Sequence, residues 1–174
     1  MDNVPISPTA VFGQNVQIGF HVIIGDHVII GDNVLIDHST IIRPNVVIGD
    51  YTEIRPFCFI AEGAEIGARV KIFQYSNISK GAIIHDRVYI GAKVLFTNTR
   101  KISHERDFDP QLAPPVVEWG VRIGSGAILL PNIRIGKNAL IGAGAVVVRN
   151  VGENDIMMGV PAKRTGEVPI EERI

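Results

Sequence analysis

The stretch VQIGFHVIIGDHVIIGDNVLID, residues 16–37, returns an isoleucine at every sixth position: Ile18, Ile24, Ile30 and Ile36. Working outward in both directions, the rule runs from Ile6 to Phe96. Of the 16 positions in that register, 14 are Ile and the other two are Phe12 and Phe96. Four residues after each comes a small or β-branched residue, as in Val22, Val28, Val34, Thr40, Val46, Thr52, Cys58 and Ala64. One residue after is often Gly or Asp, as in Gly19, Gly25, Gly31, Asp37, Gly49 and Gly67. An amphipathic helix needs apolar recurrence at three and four residues, which is missing here. A sixfold period with β-branched residues implies short strands meeting at corners, each turning one large and one small residue inward, with the Gly or Asp taking the turn. Three hexads close a triangular coil of 18 residues. The hexads together make about seven coils, a prism roughly 30–35 Å long at the ~4.8 Å strand spacing.

The rhythm stops after Phe96 and resumes in a new register at Val117, Ile123, Leu129, Ile135, Ile141 and Val147. The chain therefore carries 15 residues more than the repeat allows, in an excursion at 99–115 filled with His, Arg, Asp and Pro. Insertions at corners cost little. Loops on rigid scaffolds nevertheless carry function disproportionately, and every other turn of this scaffold is as short as the repeat permits. The organisation expected is a β-helix over 1–150 with one extruded loop and a C-terminal cap over 151–174.

Bulk composition narrows the class. The net charge of -1 and scattered basic residues provide no field for nucleic acid or an acidic membrane. No apolar run approaches the ~20 residues of a membrane span, and MDNVPISPTA lacks the layout of a secretion signal. The single cysteine, Cys58, excludes internal disulfides and suits a reducing cytoplasm.

One strip stands out by stacking. IGSGAI (Ile123 to Ile128) and IGAGAV (Ile141 to Val146) lie 18 residues apart, one coil above the other. Gly124 stacks on Gly142, Ser125 on Ala143, Gly126 on Gly144 and Ala127 on Ala145, leaving a corner almost free of side chains. Bare backbone lets a slender amide-bearing chain lie close and pair with N–H and C=O groups. Tight corners alone explain Gly124 and Gly142, which occupy the repeat's usual glycine position, but explain Gly126 and Gly144 poorly.

This pattern is the hexapeptide repeat, and the chain resembles the left-handed parallel β-helix acyltransferases over nearly its full length. The resemblance implies an all-β, left-handed parallel β-helix, against the general preference for right-handed crossovers. It also implies a homotrimer with clefts between subunits, and acetyl-coenzyme A as co-substrate with no metal. GAVVVRNVGENDIMMGVPAKRTG, residues 144–166, resembles the end of the hexapeptide acetyltransferases. There such a segment caps the prism beside the adenosine of acetyl-coenzyme A, so Lys163 and Arg164 would face its phosphates. The bare strip, Ser125, Gly126, Ala127, Ala143, Gly144 and Ala145, would take the pantetheine arm.

For the acceptor, KIFQYSNISKGAIIHDRVYIGAKVLFTN, residues 71–98, resembles the N-acetyltransferases of nucleotide-linked amino sugars that feed surface polysaccharide and lipopolysaccharide. The resemblance makes Asn98 a polar anchor near the amine and Gln74, Asn77 and Ser79 looser matches to polar positions. Arg100, with Arg106, Asp107 and Asp109, could grip a nucleotide sugar or keep the loop soluble. An alternative is acetylation of a sugar or serine-type hydroxyl with a histidine base. Maltose and galactoside acetyltransferases place a His shortly after Thr-x-Thr; here TNTR puts Arg100 there and His104 four residues on. His85 is a second candidate base, since stacking sets Glu118 above it as an orienting carboxylate. His21, His27 and His38 read as surface residues, and Trp119 as packing under the excursion. A non-catalytic scaffold is the remaining class, and the bare strip argues against it.

Overall fold

A computed structural model describes residues 6–174; residues 1–5, the start of the expected 1–150 helix, lie outside it. Each hexad folds as a two-residue strand followed by a turn; from Ile23–Ile24 onward the first strand residue points outward and the second is buried, while Phe12 and Ile18 in the first coil are exposed. The strands stack into three parallel sheets, the faces of a left-handed β-helix. Face A runs from Ile23–Ile24 through Asn77–Ile78 and Leu95–Phe96 to Val146–Val147. Face B runs from Val11–Phe12 to Arg134–Ile135, and face C from Gln17–Ile18 through Leu140–Ile141. The chain turns from B to C at the first corner, from C to A at the second and from A to B at the third.

Register follows the sequence period. Leu35–Ile36 pairs with Glu53–Ile54, and across the excursion Ile84 pairs with Val117, Ile90 with Ile123 and Phe96 with Leu129. Ile36, Ile54, Ile72, Ile90, Ile123 and Ile141 form one fully buried ladder. Burying each such side chain contributes about 1.5–3 kcal/mol. Buried Thr52 and Ser76 at the small inward positions donate Oγ–H to the carbonyls of Gly67 (2.8 Å) and Gly91 (2.9 Å) in the coil above.

Two features differ from expectation. Each face carries seven hexad strands, but an eighth rung joins them: Ile6 bridges Ile24 on face A, Val151 bridges Ile135 on face B, and Asp155–Met158 continues face C. The last two lack the hexad signature and so escape the period. An antiparallel strand, Lys163–Glu167, and a 3₁₀ turn, Ile170–Glu172, complete the C-terminal end.

The repeat glycine also has another role. The left-handed turn residue is two positions further on, with φ of 55–62° at Asn33, Phe57, Tyr75, Lys93 and their equivalents. Its N–H bonds to the coil below, as Asn33 N–H does to the Gln14 carbonyl at 2.8 Å. The repeat glycine is there because coils touch: a Cβ on Gly49 would lie 2.6 Å from the Ala68 nitrogen, and one on Gly124 would lie 2.4 Å from the Ala143 nitrogen.

The three faces are not equivalent. Face A turns Ile23, Ile41, Phe59, Leu95, Ile128 and Val146 outward with Asn77 among them, and face B Val11, Ile29, Val47, Ile83 and Val116 with Glu65 and Arg134. Face C turns out Gln17, Glu53, Lys71, Tyr89 and Arg122, with Glu53 paired to Lys71 (3.0 Å) and Arg55 (2.6 Å). No helix among the described residues is long and apolar enough to cross a membrane.

Gly49→Ala should lower stability by about 1–3 kcal/mol, the usual cost of overpacking, because its neighbours are backbone atoms that cannot turn aside. Urea unfolding beside Asn45→Gly, which leaves inter-coil spacing untouched and should change little, checks this.

Candidate functional site

The excursion leaves the prism at the third corner. Thr99–Lys101 pairs antiparallel with Gln111–Leu112, so its base is a hairpin. Asn98 is the hinge: its carbonyl accepts from Ala113 N–H at 2.7 Å, and its Nδ2 donates to the Lys80 carbonyl at 3.3 Å. The hairpin overhangs face A and borders an open cavity of about 630 Å³. Asn77, Ser79, Thr97, Asn98 and Thr99 supply polar lining; Leu95, Ile102, Leu130 and Pro131 supply apolar walls. Lys80, also at the rim, bonds Glu62 at 2.9 Å, and that ammonium holds the Glu62 carboxyl below its usual range. Ser79 Oγ is buried without a hydrogen-bond partner.

Of the residues expected to bind acceptor, Asn77 and Asn98 therefore meet in one cavity. Gln74 and Arg100 are exposed and do not line it. His104 stands on the hairpin, 80% exposed, with its nearest carboxylate, Glu105, at 3.9 Å. The pairing of His85 with Glu118 is not formed. Their strands are in register as expected, but the Glu118 carboxylate accepts from Arg134 Nε at 2.5 Å, and the exposed His85 bonds only through its backbone. Trp119 lies at the first corner between Arg87 and Lys137, one corner on from the hairpin it was expected to support. His21, His27 and His38 are exposed turn residues, and His38 Nδ1 accepts from Phe20 N–H at 2.8 Å.

The stripped strip lies at the second corner, across face A from the hairpin. Gly124 is required by inter-coil contact, but Gly126 and Gly144 are not. A Cβ on Gly144 would meet nothing within 4 Å, and one on Gly126 only Gly144 at 4.0 Å. Their φ values, 72° and 68°, occur at turn positions that Lys93 and Tyr75 fill on the same corner. These two glycines leave the corner open where the fold accepts a side chain. Ser125 is partly committed, its Oγ accepting from Ala92 N–H at 3.1 Å. Ala127 and Ala145, expected to belong to the strip, are fully buried at the small inward position of the repeat. Only their backbone borders it.

Beside the strip, Tyr89, Arg122, Leu140 and Ala143 line a largely apolar groove of about 360 Å³ on face C. At the end of the prism a third cavity, about 370 Å³, is lined by Arg149, Asn150, Asp155, Lys163 and Arg164. Arg164 is held by Asp155 (2.5 Å) and Glu167 (2.7 Å), which raise its pKa, so Lys163 and Arg149 are the cations without a carboxylate there among the described residues. Arg149, and Lys93 directly below Gly126, were not picked out by sequence reasoning. Lys93 was within reach, because the stacking offset that joins Ala92 to Ser125 joins Lys93 to Gly126.

Cys58 is no nucleophile. It is 2% exposed, Sγ donates to the Phe73 carbonyl at 3.2 Å, and burial pushes the thiol from 9.0 up to about 11.

The family model of the GMPPB C-terminal domain matches residues 1–105, and that of the bacterial transferase hexapeptide (six repeats) matches residues 114–149. Serine acetyltransferase of Salmonella typhimurium is 36% identical over 110 residues, 62% of this chain and 38% of that protein. The chain spans only 32% to 46% of the length of the curated relatives it matches. Among solved structures, the polySia specific acetyltransferase NeuO superposes with a TM-score of 0.74 at 19% identity, covering 91% of this chain and 81% of that one. A hexapeptide-repeat containing acetyltransferase from Vibrio cholerae, complexed with acetyl coenzyme A, gives 0.61 at 21% identity, covering 70% of each. At these identities the likeness is one of fold.

A thiol whose folded pKa is raised binds its proton more tightly in the folded chain. The stability this represents is complete below pH 9 and is lost as pH rises towards 11. Relative to Cys58→Ala, the wild type should lose about 2–3 kcal/mol over that interval, measured by denaturant midpoints, and at pH 8 the native thiol should resist Ellman's reagent.

Proposed function

Since this chain belongs to the hexapeptide-repeat family of the GMPPB C-terminal domain and the bacterial transferases, we propose that it is an acetyl-coenzyme A-dependent acyltransferase. Its favoured acceptor is the amine of a nucleotide-activated amino sugar. The observation that carries the reading is the second corner, where Gly126 and Gly144 leave backbone open at turn positions that Tyr75 and Lys93 fill on the coils below. Gly126, Gly144 and Ser125 would hold the pantetheine arm, with Lys163 and Arg149 near the phosphates; acetyl-coenzyme A supplies an activated acyl thioester.

The cavity beneath the hairpin supports a sugar-like acceptor. Hydroxyl and amide groups of Asn77, Thr97, Asn98 and Thr99 lie opposite apolar walls, and its one cation is already paired with Glu62. Such a lining suits an uncharged ring better than an amino-acid carboxylate. No histidine lines it. A neutral amine attacks a thioester without a protein base, whereas a hydroxyl needs one. The second reading is hydroxyl acetylation, favoured by the 36% identity to a serine acetyltransferase. It requires His104 or His85 to act from a neighbouring copy.

The faces support a homotrimer. The outward columns of faces A and B are mostly apolar, interrupted by Asn77 on A and by Glu65 and Arg134 on B, and that of face C carries ion pairs. A ring in which face A of one copy meets face B of the next covers both, and closes when three copies are joined.

Gly126→Phe and Gly144→Phe copy the residue that Phe57 already presents at this turn position, so folding should survive while calorimetric affinity for acetyl-coenzyme A falls at least about tenfold by steric block. With an amino-sugar nucleotide and thiol release as the signal, His104→Ala and His85→Ala should keep near-normal turnover. A fall of about 10²-fold or more in either would favour the hydroxyl route. Ultracentrifugation should find three times the 18.9 kDa chain mass, and Ile29→Lys with Ile83→Lys should dissociate it.

A further inference from the structure

Along the first corner, outside every cavity described so far, the left-handed turn position carries Tyr51, Arg69 and Arg87 on successive coils. The following coils bring Trp119 and Lys137 to the same corner. The Arg69 guanidinium lies 4.9 Å over the Tyr51 ring, and Arg87 and Lys137 lie 5.8 and 5.1 Å from the Trp119 ring. We propose that Arg69, Arg87 and Lys137, arrayed on these two rings, bind the phosphoryl groups of a phosphate-ester ligand. The proposal concerns binding alone and stands independently of the acetyl-transfer reading.

Three acids of this corner are engaged by other donors. Asp50 accepts from Asp32 N–H at 2.8 Å, Asp86 from Ala68 N–H at 2.9 Å, and Glu118 from Arg134. Among the described residues Arg69, Arg87 and Lys137 form no ion pair, whereas the neighbouring Arg122 and Arg134 do. Their heads lie on different rings, Arg69 over Tyr51 one coil below and Arg87 beside Trp119 one coil above, so a ligand with more than one phosphoryl oxygen can bridge the corner to engage both.

Backbone conformation points the same way. Tyr51, Arg69 and Arg87 hold φ of 59°, 57° and 59°, where Asn15, Asn33, Asn138 and Asn154 fill the corresponding place. A bulky side chain is a poor choice for left-handed backbone, at a cost of about 1–2 kcal/mol, so the fold itself does not ask for it. Cation–π contact holds the charged heads over the rings and reduces the entropy lost on binding. The oxygens of a phosphate monoester or diphosphate can engage two guanidinium forks together, whereas one carboxylate satisfies a single fork. Three cations on a chain of net charge -1 are too few for nucleic acid.

The test is calorimetric titration of wild type and the triple variant R69Q/R87Q/K137Q with inorganic pyrophosphate, each confirmed folded by its thermal transition. All three side chains are exposed, so folding should be retained. Wild type should bind, more weakly as salt rises, and the variant at least about tenfold more weakly. Two further ligands separate the sources. A parallel loss for a nucleoside diphosphate, with coenzyme A unaffected, assigns the site to the acceptor. A loss for coenzyme A that dephospho-coenzyme A does not share assigns it to the coenzyme's 3′-phosphate. Pyrophosphate that fails to bind wild type, or binds both proteins alike, overturns the proposal.

Discussion

Everything in this structure depends on backbone hydrogen bonds between one coil and the next. Leu35 N–H reaches the Thr52 carbonyl at 2.9 Å and Asp37 N–H the Ile54 carbonyl at 2.8 Å, and the same exchange is repeated up all three faces. Strands of two residues are far too short to be stable alone. They persist because each is bonded to the coils below and above. That constraint fixes the 18-residue coil and the outward or inward sense of every side chain. It also selects glycine where turn backbones touch, a more demanding condition than turn conformation, which Asn, His, Tyr, Arg and Lys all meet here.

A scaffold so regular has no cleft of its own, and its candidate sites arise where regularity is relaxed. The hairpin at the third corner relaxes it by adding chain, bordering an open cavity on face A. The second corner relaxes it by omitting side chains at Gly126 and Gly144. These two sites share face A but sit on different corners, so a reaction joining them needs a ligand that spans the face or a second copy that brings them together. The mostly apolar outward columns of faces A and B favour the second copy.

How far the sequence could be read follows from what a repeat encodes. Backbone register was legible to the residue, including the jump that puts Val117 over Ile84, because hydrophobic period and hydrogen bonding impose the same answer. Side-chain partners were not. His85 and Glu118 sit on adjacent rungs as the arithmetic requires, yet a carboxylate several bonds from its Cα has other neighbours in reach, and Arg134 offers a charged donor. Ala127 and Ala145 show the converse error. Composition put them in the bare strip, although the repeat's own rule for the fourth position sends them into the core. The eighth rung was hidden because Val151 and Met157 take the inward places off the sixfold register, without the isoleucine that marks the hexads.

Corner residues deserve weight in such a fold because they are the least constrained by it. An inward position must fit the core, apolar or a small hydroxyl bonded to backbone as in Thr52 and Ser76, and glycine serves where turn backbones touch closely. The left-handed turn position has open space before it at Gly63 and Gly144, though not at Gly120, and elsewhere holds residues from serine to tyrosine. What stands there reflects demands from outside the prism more than from within. On the second corner that position changes from Phe57 and Tyr75, stacked 5.1 Å apart, through Lys93 to bare glycine. On the first it changes from asparagine to aromatic and cationic residues over the same middle coils. Backbone conformation is the same on both columns, so the difference between them is not set by the turn itself.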